Sequence, residues 1–203
     1  YAVQESYGGP QGLKELVDAC HREGLAVCLD VVYNHLGPEG NYLDEFGPYF
    51  TDAYATPWGR AVNYDGENCT GVRELVLQNA LYWFAEYHID ALRLDAVHGI
   101  HDNGPVHILR ELAARAAALS VTLKRPCLLI AENELNDPRL LTAPEADGCG
   151  LDGVWSDDFH HAVHVLLTGE RGEYYRYYTG FADLVPALER GFVYDDLRPP
   201  VAE

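Results

Sequence analysis

Segments with helical periodicity alternate along this chain with short, nearly continuous apolar runs, and each run ends in acids, amides or histidines. Leu13, Leu16, Val17 and Cys20 recur at helical spacing, with Pro10 suited to a first turn and Gly24 to a C-terminal cap. "LAVCLDVVYNH" follows, and such a run is the signature of a parallel strand covered on both faces. Val72, Leu75, Val76, Ala80, Phe84 and Tyr87 predict a second helix, leading into the strand "DALRLDAVH". Ile108, Leu109, Leu112, Ala116 and Leu119 predict a third, with Asn103 and Pro105 as start signals, before the strand "CLLIAENEL". "GLDGVWSDDFHHAVHVLL" reads as a fourth strand turning into a helix, and 181–189 as a last helical stretch.

This repeated order implies an α/β fold, a parallel sheet with helices packed outside it. An open doubly wound sheet ordinarily carries a glycine-rich phosphate loop, and neither GxGxxG nor GxxxxGK[ST] occurs. A (β/α)8 barrel is therefore predicted, as one unit over 1–203. Residues 36–70, rich in Gly, Pro, Asn, Asp and aromatics, read as a long irregular insertion of the functional kind.

Charge narrows the partners. Fourteen Lys and Arg stand against 32 Asp and Glu, a net charge of −18, which repels nucleic-acid phosphates and anionic membranes and suits a neutral substrate. No apolar run approaches the roughly 18 residues that span a bilayer. The five cysteines, Cys20, Cys28, Cys69, Cys127 and Cys149, are odd in number and follow no CxxC spacing, so they read as reduced packing residues and favour the cytoplasm. No metal site is expected: His21, His88, His160, His161 and His164 form no ligand set, His160 and His164 lack an HExxH glutamate, and no spaced calcium run surrounds Asn34.

Arg93 and Asp95 lie two positions apart on one predicted strand and so project to the same side, where a guanidinium can hold a carboxylate ionised. Alone, the pair fits a structural ion pair as well as a functional one. Four strand ends, however, carry such groups: Asp30, Asn34 and His35; Arg93, Asp95 and His98; Glu132 and Glu134; Asp157 and Asp158. In a closed barrel the C-terminal strand ends form the active site, and this set suits chemistry that needs one ionised and one protonated carboxyl.

"DVVYNH", "ALRLDAVH" and "LLIAENEL" resemble, in order and spacing, the first three sequence regions of the alpha-amylase superfamily of retaining glycosidases. "TPWGRAVNYD", "AENELNDPRLL" and "VWSDDFHHAVH" are most similar to the branch that frees trehalose from maltooligosyl trehalose; "NALYWFAEYHIDALRLDAV" is shared with glycogen branching enzymes. The resemblance implies Asp95 as nucleophile, with Arg93 keeping it ionised and aimed, and Glu132 as the general acid, about 5 Å away as retention requires. It implies that His35 and His98 bind sugar hydroxyls and that Asp30 supports the pocket. Trp58 is either a stacking platform or loop core, and Asp157 and Asp158 are either sugar contacts or helix N-caps. The implied partners are an α-glucan or maltooligosyl trehalose and, through the pathway, a maltooligosyltrehalose synthase; no cofactor is implied.

Two departures point to an excerpt. The family's third carboxylate, in an Asn-His-Asp motif, is missing: Leu36 follows His35, and His101-Asp102 comes in the wrong order. There is also no methionine, even at position 1. The chain is accordingly expected to cover about the second helix through the sixth strand and its helix, with 36–70 following the third strand, and to be poorly stable and inactive alone.

Overall fold

The computed structural model describes residues 1–194 of the chain, so residues 195–203 of the expected 1–203 unit lie outside the described residues. Four strands, β1 (Cys28–Val31), β4 (Ala91–Leu94), β5 (Leu128–Asn133) and β6 (Gly153–Ser156), form one parallel sheet in the order β1-β4-β5-β6. Between them run α1 (Gly9–Arg22, before β1), α2 (Thr70–Tyr87), α3 (Ile108–Leu123) and α4 (Asp157–Thr168), with α5 (Phe181–Arg190) last. Strands neighbouring in space are thus neighbours in the βα sequence, the connectivity of a barrel. Four such strands make half of an eight-stranded one.

Strand alternation decides what the two sheet faces hold. Val31, Leu92, Leu94, Leu129 and Ala131 turn toward the helices and are buried with Leu77, Ala80 and Phe84 of α2 and Ile108, Leu109 and Leu112 of α3. Cys28, Asp30, Leu128 and Trp155, on the opposite face, are exposed. Helices cover one side of the sheet, and the other is the concave face of the arc, where the polar residues stand. Cys127 packs in the core as expected, but Cys28 does not.

Residues 36–70 are not irregular throughout. They contain an antiparallel hairpin, β2 (Phe50–Thr56) and β3 (Gly59–Val62), whose register shifts between Thr51 and Ala55. Pro57 and Trp58 form its tip; Gly59, at φ 127°, supplies a backbone conformation that side chains disfavour. Helix α3 begins at Ile108, later than Asn103 and Pro105 suggested, because its caps lie elsewhere. His107 Nδ1 accepts from Leu109 N–H at 3.2 Å, and Asp102 Oδ2 accepts from Ile108 N–H at 2.6 Å. Asn103 instead ties the hairpin down, donating from Nδ2 to Tyr54 Oη at 2.9 Å and from its backbone N–H to Asp65 at 2.8 Å.

Asp102 holds more than a helix end. Its fully buried carboxylate also takes Arg73 Nη1 at 2.6 Å, while Arg73 Nη2 reaches Glu111 at 2.8 Å. One buried ion pair therefore joins α2, the loop after β4 and α3. Asp102→Ala leaves Arg73 with Glu111 as its remaining carboxylate and the Ile108 N–H without its acceptor, and a loss of ~1–3 kcal/mol is expected in denaturant unfolding. Combining it with Arg73→Met should lose less than the sum of the two single changes.

A second, smaller core gathers Ala162 and Val165 of α4 with Tyr178, Tyr175 and Leu184. His161 sits among Tyr174, Tyr175 and Tyr178, and burial, helped by His160, pulls its pKa down to about 4. A histidine depressed below its usual value stabilises the fold fully above that value, and this stability is lost as pH falls toward 4. His161→Phe is therefore expected to flatten the loss of thermal stability between pH 6.5 and 4, measured against the parent.

Candidate active site

Parallel register places the polar rows. Asp30 is paired with Arg93, and Leu94 with Ala131, which sets Asp95 level with Glu132; Glu132 in turn faces Trp155. Successive side chains alternate, so Arg93, Asp95, Glu132 and Trp155 all stand on the concave face near the C-terminal ends of their strands.

Arg93 is the centre of this group. Its Nη1 donates to Asp30 Oδ1 and Oδ2 at 2.9 and 3.1 Å and to Asp95 Oδ1 at 2.6 Å, and its Nη2 lies 3.6 Å from Glu132 Oε2. The Trp155 ring covers the guanidinium at 5.0 Å. Burial works to lower the Arg93 pKa, but the hydrogen bonds to Asp30 and Asp95 outweigh it and raise the net value. The cation is permanent, and three carboxylates are arranged around it.

The turn after Asp95 completes the arrangement. Ala96 adopts φ 41°, ψ 54°, a left-handed conformation that costs a non-glycine residue about 1 kcal/mol or more. This turn aims Ala96 N–H at Glu132 Oε2, at 2.7 Å. Asn34, 1% exposed, fixes it by donating from Nδ2 to the carbonyls of Asp95 (2.8 Å) and Ala96 (3.1 Å). Asp95 and Glu132 are thereby tied to one guanidinium and to the peptide that joins Asp95 to Ala96.

His35 hydrogen-bonds Asn34 Oδ1 through Nδ1 and stacks on Trp58 with ring centroids 5.2 Å apart. His98 tilts against Trp58 with ring centroids 5.9 Å apart; its Nε2 lies 3.6 Å from Glu134 Oε1, and its Nδ1 is buried with no partner among the described residues. The hairpin tip thus reaches the concave end of the sheet. It fits there because Gly99 has no side chain: a Cβ at that position would lie 2.9 Å from Trp58 Cζ3.

Asp158 and Asp157 diverge. Asp158, 1% exposed, accepts from Tyr178 Oη and from the N–H groups of Val193 (2.6 Å) and Tyr194 (2.9 Å), so it braces α4 and faces no sugar. The N-cap is neither acid but Ser156, whose Oγ accepts from Phe159 N–H. Asp157 opens into a cleft of about 670 Å³ shared with Arg93, Glu132 and Trp155. Trp155 went unnoticed in the sequence, although its place two residues after Gly153 on the strand beside Glu132 would have found it. Among the described residues no group of three or more His, Cys, Asp or Glu is placed to hold a metal ion, and no helix is long and apolar enough to cross a membrane.

Comparison with known proteins decides the family. The alpha-amylase catalytic-domain family matches residues 1–56. The malto-oligosyltrehalose trehalohydrolase of Saccharolobus solfataricus is 50% identical over 195 residues, 96% of this chain and 34% of its own length. That of Mycobacterium tuberculosis is 47% identical over 95% of this chain and 33% of its own. The chain belongs to the alpha-amylase family. It spans about a third of the length of the curated relatives it matches. A Synechococcus 1,4-alpha-glucan branching enzyme is 41% identical over 48% of the chain and 13% of its own length. A solved alpha-amylase-type structure from Salmonella typhimurium superimposes with a TM-score of 0.79 at 39% identity, covering 91% of this chain and 32% of that one, so the sheet is an arc of an amylase-family barrel.

The Gly99 contact offers a direct check on this amylase-family site. Gly99→Ala should displace the Trp58 ring and shift its fluorescence, read as the difference from the same variant in a Trp58→Phe background. Gly71→Ala, where a Cβ meets nothing within 4 Å, should leave the emission as it was.

Proposed function

We propose that the full-length protein is a retaining glycosidase that hydrolyses the α-1,4 bond next to the trehalose unit of maltooligosyl trehalose and releases trehalose. The observation that carries this reading is the Asp95–Arg93–Glu132 grouping, set in sequence about half identical to that of malto-oligosyltrehalose trehalohydrolases. In this reading Asp95 attacks the anomeric carbon as the bond to the leaving oxygen breaks, and Glu132 gives that oxygen its proton. Glu132 then takes a proton from water, which attacks the same carbon and expels Asp95 with net retention. Arg93 keeps the nucleophile ionised and aimed, and Asp30 supports it by accepting from the same guanidinium nitrogen. His35 and His98 bind hydroxyls of the sugar under attack, and the Trp58 ring offers a face to a glucose.

Several lesser inferences go with it. Residues 1–203 act as one partial barrel, with 36–70 an insertion after its third strand. The free cysteines and the sugar chemistry suit the cytoplasm. A maltooligosyltrehalose synthase, which builds the trehalose end, supplies the substrate.

The closest rival is a branching enzyme, in which a glucan hydroxyl replaces water in the second step. Product analysis separates the two. Full-length protein given maltooligosyl trehalose and amylose should yield free trehalose, and Asp95→Asn should lower the rate at least roughly 10³-fold. New α-1,6 branches without trehalose move the protein to the branching reaction, and full activity in Asp95→Asn removes Asp95 from the mechanism.

A further inference from the structure

The proposed acid is held by one of its two oxygens. Glu132 Oε2 accepts from the Ala96 N–H at 2.7 Å and lies 3.6 Å from Arg93 Nη2, while Oε1 takes no hydrogen bond among the described residues. In a protonated carboxyl the carbonyl oxygen is the one that accepts. A donor fixed on Oε2, with a cation beside it, therefore leaves the proton on Oε1.

That donor depends on a strained turn and on one buried amide. Ala96 stands at φ 41°, ψ 54°, which costs a non-glycine residue about 1 kcal/mol or more. Asn34, 1% exposed, donates from Nδ2 to the carbonyl oxygens on either side of the strained residue, Asp95 at 2.8 Å and Ala96 at 3.1 Å. The Asp95 carbonyl belongs to the peptide whose N–H is that of Ala96, so Asn34 and Glu132 are bonded to the two ends of one peptide. The amide cannot turn over, because Asn34 Oδ1 accepts from His35 Nδ1. The nucleophile is anchored separately. Asp95 N–H donates to the Val31 carbonyl at 2.9 Å, and its carboxylate takes Arg93 at 2.6 Å, against 3.4 Å for Asn34 Nδ2 to Asp95 Oδ2. Loosening the turn thus releases the acid's donor and leaves the nucleophile's in place.

We propose that Asn34 is a positioning residue for the general acid: by holding the Asp95–Ala96 peptide it keeps the Ala96 N–H on Glu132 Oε2 and leaves the transferable proton on Oε1. That proton passes from Oε1 to the departing oxygen as the bond to the anomeric carbon breaks and Asp95 bonds to that carbon. Oε1 takes a proton back from water in the second step, and Oε2 stays bonded to the peptide throughout. The inference rests on the acid and nucleophile roles proposed above and does not depend on which sugar leaves.

The test uses the full-length protein and two leaving groups on the same sugar. Maltotriosyl trehalose needs its departing oxygen protonated; α-maltotriosyl fluoride departs with little need of an acid, and kcat/KM reports the steps through bond cleavage. Glu132→Gln sets the scale, with a loss on the first substrate roughly a hundredfold larger than on the fluoride. Asn34→Ala is expected to lower kcat/KM on the first substrate roughly tenfold to a hundredfold, with a loss on the fluoride about tenfold smaller. Adding Ala96→Gly, which holds a left-handed turn without strain, should return at least half of that loss on a logarithmic scale. If Asn34→Ala does not fold, Asn34→Ser and its pair with Ala96→Gly carry the same expectations. Equal losses on both substrates, no loss on either, or a split that Ala96→Gly does not relieve overturns the inference, since damaged packing would neither follow the leaving group nor be repaired by glycine. Absence of a split in Glu132→Gln sinks the acid assignment and this inference together. A parent that cuts amylose without releasing trehalose sinks only the functional reading, and the same comparison with maltohexaose in place of maltotriosyl trehalose then judges Asn34.

Discussion

One guanidinium organises the concave end of this sheet. Arg93 reaches three carboxylates from three strands: Asp30 on β1, Asp95 after β4 and Glu132 on β5. Three acids gathered without a cation would repel one another. With Arg93 among them and the Trp155 ring over it, the group is compact and its charges are partly compensated. The arrangement follows from register: Asp30 pairs with Arg93, and the next rows bring Asp95 and Glu132 level. A slip of one residue on any of these strands would turn its acid into the apolar layer beneath the helices. Leu92, Leu94, Leu129 and Ala131 therefore do functional duty, since their burial fixes which way the charged residues point.

Much of this was legible in the sequence, and for a physical reason. The period of helices and the apolar content of the strands depend on local pattern, so α1, α2, α3 and the four strands could be read from residue spacing alone. The Arg93 to Asp95 contact was legible too, because alternation along one strand does not depend on the rest of the fold. Contacts between segments were not. The tie from Asn34 to the Ala96 turn joins residues 62 apart. The left-handed Ala96 has no local signature, since glycine or asparagine is the usual mark of that conformation.

Two of the misreadings share a cause, a polar residue taken to serve its own neighbourhood. Asn103 looked like a helix start but anchors the hairpin, and Asp158, open between a sugar contact and an N-cap, instead braces the segment at Val193 and Tyr194. Asn103 donates to Tyr54 and Asp65 and Asp158 accepts from two distant N–H groups, so in both the hydrogen bonds go to partners far along the chain. The hairpin at Phe50–Val62 was missed because its strands are short and interrupted by a register shift, leaving no clean alternation to count.

The hairpin also shows how an insertion can belong to a site without contributing chemistry. It is held through Tyr54, Asp65 and Asn103, and its tip through the contacts of Trp58 with His35 and His98. Both attachments fall on the chain that leaves β4, between His98 and Asn103, which begins three residues after Asp95. The position of the Trp58 ring is therefore coupled to the same backbone turn that directs Ala96 N–H to Glu132, and Asp102, buried in that stretch, ties it in turn to Arg73 and α3. A ring mounted on a free loop would have to be ordered anew by each substrate; a ring held at two points on rigid neighbours has met that entropic cost during folding. In this chain the rigidity of the aromatic wall and the placement of the two carboxyls come from one set of contacts.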